Sequence, residues 1–170
     1  MRLSPEESQW ALLTGAGVRG GFQAAWIEGD DLDAITAGLG MDPEERIECD
    51  LATAMRWRRP VHAPVVHWVG SHSPGWTFAM LVAGFEFDAA LPGRQVYPFT
   101  YLYEIGEFYS VPGLEWDDER FADLALPDDM GDEECLDDCL VAVGRITGRF
   151  IDRAWLAEPR TLGRLTGGGW

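Results

Sequence analysis

The chain contains no lysine and no asparagine, so all 13 of its basic residues are arginine. Without lysine there is no Schiff-base chemistry and no P-loop lysine to meet a nucleotide phosphate. Lysine and asparagine codons are AT-rich, so the same gap points to a GC-rich genome. Cysteine is sparse. Cys49, Cys135 and Cys139 are odd in number and form no C-x-x-C pair, which fits a reduced compartment rather than a disulfide framework. No window approaches the ~20 apolar residues of a membrane span. The N-terminus offers only Arg2 before an acidic patch, without the apolar core of a secretory leader. The expectation is a cytoplasmic, bacterial-type protein with no membrane segment.

Catalytic signatures are missing as well. There is no G-x-S-x-G elbow, and Ser71 and Ser73 flank His72 only locally. Gly17, Gly20 and Gly21 lie between a helix and a strand, the reverse of the order a dinucleotide fingerprint needs. No cofactor is expected from this chain, and nothing in it compels an enzymatic reading.

What is present is apolar and acidic. Hydrophobic residues make up 46% of the 170 and include eight tryptophans, enough for one domain over 1–170 with a substantial core. The net charge of −16 disfavours nucleic-acid phosphate and anionic bilayers as partners and draws in basic ones.

The stretch from Val61 to Gly84 organises the rest. An apolar run through Val69, a Gly/Ser/Pro cluster from Gly70 to Gly75, and a second run from Trp76 to Val82 read as two antiparallel strands joined by a loop. Both faces of the second run are largely apolar, so it is expected to be covered on both sides. Ser4-Pro5-Glu6-Glu7 reads as the start of a helix through Trp10 and Leu13. Phe22 to Ile27 follows as a strand, and Asp30-Asp31 opens a helix with Leu32, Ile35 and Leu39 on one face. Asp42-Pro43-Glu44-Glu45 is expected to begin a helix with Ile47, Leu51, Ala54 and Met55 as its stripe, ending at Pro60. Phe85 to Asp88 continues the central hairpin past Gly84. Phe99, Tyr101 and Tyr103 mark a further strand, with Glu107 to Val111 pairing back onto it. A short helix or turn at Asp117–Leu124 precedes a helix over about Asp129–Thr147, capped by Gly148 with Phe150 in contact. Asp152 caps a final turn with Trp155 and Leu156, and 165–170 reads as a loose tail. The fold expected is α+β: an antiparallel meander of about four to five strands, with helices packed on it from both ends of the chain.

Three constellations bear on function. Between Glu115 and Asp138 stand twelve acidic residues against one base, Arg120. Asp117, Asp118, Asp128, Asp129, Asp132, Glu133, Glu134, Asp137 and Asp138 are the candidate partner-binding face, although carboxylates also favour a helix N-terminus for structural reasons. Asp128-Asp129-Met130-Gly131-Asp132 has the D-D-x-x-D spacing of diphosphate–magnesium sites, but in a short sheet-bearing chain the match is expected by chance. Tyr97, Tyr101, Tyr103 and Tyr109, with Glu104 and Glu107, are the candidate lining of a small-molecule pocket, or else cross-strand aromatic pairs. His62, His67 and His72 invite a zinc reading, yet an odd separation sets the first two on opposite faces of a strand. No metal site is expected.

Ile146-Thr147-Gly148 followed by Trp155-Leu156, with Phe22 to Ile27, Leu32 to Ile35 and Gly75-Trp76-Thr77 before them, resembles an uncharacterised family of small acidic, Trp-rich proteins from GC-rich bacteria. The likeness covers most of the chain in order and departs from it at Pro92–Tyr109 and in the acidic block. It implies an α+β fold and no established activity, so no functional residue is carried over. Small acidic α+β chains of this type are also similar to toxin-immunity proteins. The function expected is a non-enzymatic interaction protein, immunity-type or regulatory, with a basic protein partner. The alternative is a binder or small enzyme with a Trp/Tyr-lined pocket against the sheet.

Overall fold

A computed structural model describes residues 3–19, 21–57, 64–84, 87–89, 91–102, 107–109, 113–115, 117–124 and 133–166. The class is α+β, with every strand pairing antiparallel in one sheet. The chain runs α1 (Gln9–Gly15), β1 (Phe22–Glu28), α2 (Leu32–Gly38), β2 (Met41–Cys49), α3 (Leu51–Arg56), β3 (Val66–Ser73) and β4 (Trp76–Ala83). It continues through β5 (Val96–Leu102), β6 (Glu107–Tyr109), a 3₁₀ turn (Glu119–Phe121), α4 (Glu133–Thr147), α5 (Arg153–Ala157) and β7 (Arg160–Leu165).

The sheet has seven strands in the order β2-β7-β3-β4-β1-β5-β6. It is larger than the expected four or five, and it is not a meander, since only β3–β4 and β5–β6 join sequence neighbours. Two strands account for the difference. Residues Asp42 to Glu48 are strand where a helix was expected. The apolar spacing of Ile47, Leu51, Ala54 and Met55 runs across two elements, and α3 starts only where Asp50 accepts from the Thr53 N–H at 2.8 Å. Upstream, Asp42 Oδ1 accepts from the Glu44 N–H, and Arg46 donates to the carbonyls of Met41 and Asp42. Those bonds hold a bulge that accommodates Pro43.

The other added strand is β7, which pairs with both β2 and β3. Leu165 and Thr166, given above to the tail, donate their N–H groups to the carbonyls of Val65 and Gly40; 167–170 lie outside the described residues. β3 also runs on through His72 and Ser73, so the expected Gly70–Gly75 loop shrinks to a Pro74-Gly75 turn. Further along, β4 stops at Ala83, and Phe87 and Asp88 are not strand.

At the N-terminus, Ser8 rather than Ser4 caps the first helix. Glu7 is engaged with Arg153 at 2.5 Å, so it does not complete a capping box with Ser4. α2 with its Asp31 cap, α5 with its Asp152 cap, and Gly148 at φ 82° match expectation. A Cβ at Gly144 would overlap the Phe150 ring, so the ring packs against bare helix backbone.

One face of the sheet carries Trp26, Trp68, Phe78 and Phe99 beneath α1, α4 and α5. Phe78–Trp155 (4.9 Å), Trp26–Phe78 (5.2 Å) and Trp68–Trp155 (5.7 Å) meet edge to face, each worth ~0.5–1.5 kcal/mol beyond burial. The other face is smaller: Ala25, Ile27, Val69 and Ala79 pack under α2 with Phe87 and Leu91. β4 is thus covered on both sides, as its two apolar faces predict.

Candidate interaction surface

The acidic stretch divides by what its carboxylates do. Asp118 caps the 3₁₀ turn and grips Arg120 at 2.7 Å, which holds its carboxyl below the usual range. Asp137 accepts from the Trp10 N–H at 2.9 Å and ties α4 to α1. Asp123, absent from the candidate set, binds Arg145 through both oxygens, and its pKa falls to about 2. Asp117 and Glu119 are exposed, and Asp138 is half-buried. Glu133 and Glu134 open α4, though their side chains lie outside the described residues, as do Asp128, Asp129 and Asp132 entirely.

The tyrosine set divides as well. Tyr101 is buried edge-on against Trp10 at 5.4 Å, and half-buried Tyr97 lies tilted on Trp76 at 5.6 Å. Both are packed rings, and neither lines a described pocket. Tyr109 and Glu107 sit on β6 opposite Thr100 and Leu102, with side chains outside the described residues; Tyr103 and Glu104 are wholly outside.

The histidines sit apart. His67 faces Phe87 on the small face at 5.1 Å, and neither ring nitrogen has a partner among the described residues. Burial lowers its pKa to about 4. His72 lies on the aromatic face beside Trp26 and Trp155; His62 is outside the described residues. Among those residues, no group of three His, Cys, Asp or Glu is placed to hold a metal ion.

His72 belongs to a polar cluster that the sequence did not announce. Trp155 Nε1 donates to His72 Nδ1 at 2.9 Å. An indole only donates, so Nδ1 must accept and the ring proton sits on Nε2. Nε2–H in turn donates to Thr147 Oγ1 (3.0 Å) and the Arg149 carbonyl (3.1 Å). Thr147 passes its own proton to the Val143 carbonyl, and the Ser73 hydroxyl donates to the Thr147 carbonyl. The ring is neutral: burial drives its pKa to about 3, against the favourable Arg149 carbonyl and with help from the nearby Arg149 and Arg160 charges. Because Ser73 turns away to a helix carbonyl, the pair is no nucleophile and base.

Arg160 completes the cluster. Only 2% exposed, its guanidinium lies 4.1 Å from the Trp155 ring and 4.8 Å from that of Trp68. It donates to the carbonyls of Ser71 and Trp155 and pairs with Glu158 at 3.2 Å. Burial lowers its pKa to about 10, so it stays charged at neutral pH. Gly70 makes room for it: a Cβ there would come within 2.8 Å of Arg160 Cβ and 2.9 Å of Cδ. The side chains of His72, Ser73, Thr147 and Arg160 are all bonded within the molecule, which ties β3, α4, α5 and β7 together; Trp26 Nε1, beside His72, has no partner among the described residues.

Farther along the same two strands, β2 and β7, the surface opens. Ile47 and Trp57 are 46% and 51% exposed and share a groove of about 360 Å³ with Val66 and Leu162, rimmed by Glu44, Glu45, Arg46 and Arg164. No helix among the described residues is long and apolar enough to cross a membrane.

No family model, curated protein or solved structure matches this chain.

Proposed function

We propose that the chain is a non-enzymatic interaction protein, immunity-type or regulatory, that binds a basic protein partner. The observation that carries this reading is how the charges are distributed. Eight of the thirteen arginines (Arg46, Arg94, Arg120, Arg145, Arg149, Arg153, Arg160 and Arg164) are engaged with carboxylates or carbonyls of the chain itself. Carboxylates outnumber basic residues 29 to 13, and Glu44, Glu48, Glu115, Asp117 and Glu119 are among those that face solvent. With most of these arginines paired inside the chain, whether buried like Arg160 or exposed like Arg153, the excess carboxylates present a negative field that speeds and orients encounter with a cationic protein. Asp117 and its neighbours contribute to that field, although Asp118 and Asp137 also have internal duties.

Affinity capture from the native cell with salt-graded elution tests the reading. Basic proteins should bind at low salt and leave as salt rises, because exposed charge pairs are screened beyond about 10 Å at 0.1 M. Recovery of nothing that salt releases would overturn it.

A further inference from the structure

Two arginines converge on one carboxylate at the margin of the aromatic core. Arg149 directly follows Gly148, which ends α4, and Arg160 opens β7 with its side chain buried. The Arg149 guanidinium presents its fork to Glu158: Nη2 donates to Oε1, and Nη1 donates to Oε2 at 3.1 Å and to the His72 carbonyl at 2.9 Å. Arg160 Nη2 donates to the same Oε2 at 3.2 Å. Three donor nitrogens from two cations thus close on a single carboxylate, the kind of donor set that recognises oxyanions.

The charges within this group do not balance. Glu158 sets one negative charge against two positive ones. Arg160, sandwiched against the Trp68 and Trp155 rings, feels Glu158 in its favour and Arg149 against it. A buried cation that is incompletely compensated is costly. The carboxylate is also the most exposed member of the three, at 40% against 28% for Arg149 and 2% for Arg160. Its backbone is held separately, since the Glu158 N–H donates to the Ala154 carbonyl at 3.1 Å. Rotation of the side chain alone therefore withdraws the carboxylate, with α5 and β7 left in place.

We infer that Arg149 and Arg160 form an oxyanion site that Glu158 fills from within the chain, and that a phosphate dianion, free or carried by a small phosphomonoester, takes the site by displacing it. A dianion matches both cations where the carboxylate matches one, and its tetrahedral oxygens reach the Arg149 fork and Arg160 Nη2 together. A monocarboxylate brings no more charge than Glu158 and lacks the tether, so it does not compete. The chain's net −16 opposes the anion at long range, where salt screens it, while the two guanidiniums act at contact. The inference does not rest on the basic-partner reading.

The test is calorimetric titration at constant ionic strength with inorganic phosphate, glycerol phosphate and acetate. Phosphate should bind the wild-type chain, and more tightly as rising pH gives it the second charge. Its affinity should rise about tenfold in Glu158→Ala, where the tethered competitor is gone, and vanish in Arg149→Ala. Acetate should bind Glu158→Ala and not the wild type. Should Glu158→Ala fail to fold, Glu158→Gln keeps the shape without the charge and should show the same order. Glycerol phosphate separates the two sources: binding tighter than phosphate assigns the group to a phosphomonoester, and exclusion assigns the site to the free ion. No phosphate binding by the wild type would overturn the displacement. Binding indifferent to both Glu158→Ala and Arg149→Ala would place the anion elsewhere and overturn the site.

Discussion

Arg160 and Leu162 point to the same face of one strand and pair with Cys49 and Ile47 of β2, yet the surfaces above them differ completely. Over Arg160 lies the Trp155 ring of α5, and the side chains of His72, Ser73, Thr147 and Arg160 are all hydrogen-bonded, although the neighbouring Trp26 Nε1 has no partner among the described residues. Beside Ile47, among the described residues, stands half-exposed Trp57. Composition does not separate the two, since the buried end holds Arg and His while the open end holds Ile and Trp. Cover separates them. Where a helix end supplies orphan carbonyls, a cation and an imidazole can be buried. Where none of the described elements arrives, even strongly apolar side chains such as Ile47 and Trp57 remain wet.

The sharpest way to break this contrast is to open the closed end. Arg160→Ala should cost about 3 kcal/mol by urea denaturation, because it leaves a void between two indoles and strands the Ser71 and Trp155 carbonyls. A loss under 1 kcal/mol would mean that the cluster is not holding the fold.

Gly70→Ala should cost ~1–3 kcal/mol by forcing the Arg160 stem aside. Its penalty should shrink sharply in the Arg160→Ala background, since the two residues touch. Additive losses would remove the steric account of Gly70.

The two histidines refine the comparison through pH. Both folded-state pKa values lie below the ordinary 6.5, near 4 for His67 and 3 for His72. Below pH 6.5 the unfolded chain therefore takes up protons that the folded chain refuses. Their contribution is complete above 6.5 and lost as pH falls, at about 1.4 kcal/mol per pH unit for each ring. His67→Leu should remove one ring's share of that slope down to about pH 4. It should be neutral or stabilising at pH 7, because no described partner is orphaned. His72→Leu should remove the same share of slope but destabilise by ~1–3 kcal/mol, leaving the Trp155 indole N–H unpaired. Equal stability of the two variants at pH 7 would contradict the assignment of roles. Smallest of all, Trp57→Ala should move the unfolding free energy by no more than ~0.5 kcal/mol.

The α+β class, the central hairpin, β1, α2 and the capped helices at Asp31 and Asp152 were legible because their periodicity and caps agree. β2 was not, because an apolar spacing that fits one helix was shared between a strand and a short helix, and the Asp50 cap lay inside the pattern. β7 was hidden by chemistry: Arg160 occupies an inward position where alternation leads one to expect an apolar residue, and Gly163 has no side chain to signal a face. The same arginine hid the buried cluster, since nothing local in Arg-Thr-Leu-Gly announces two tryptophans from distant segments. His72 looked like a loop residue because glycine and serines surround it, although the bulge near Ser71–Ser73 keeps it in the sheet. The acidic run was plain to read, but which of its carboxylates are engaged, such as Asp137 with the Trp10 N–H, depends on contacts 127 residues apart. The groove at Ile47 was invisible while those residues were read as helix.

Amide hydrogen exchange of the chain tests the central contrast most directly. Slow exchange in β3 and β7 beside fast exchange at 46–49 and around Trp57 is the predicted result. Protection at 46–49 and around Trp57 equal to that of β3 and β7 would contradict it.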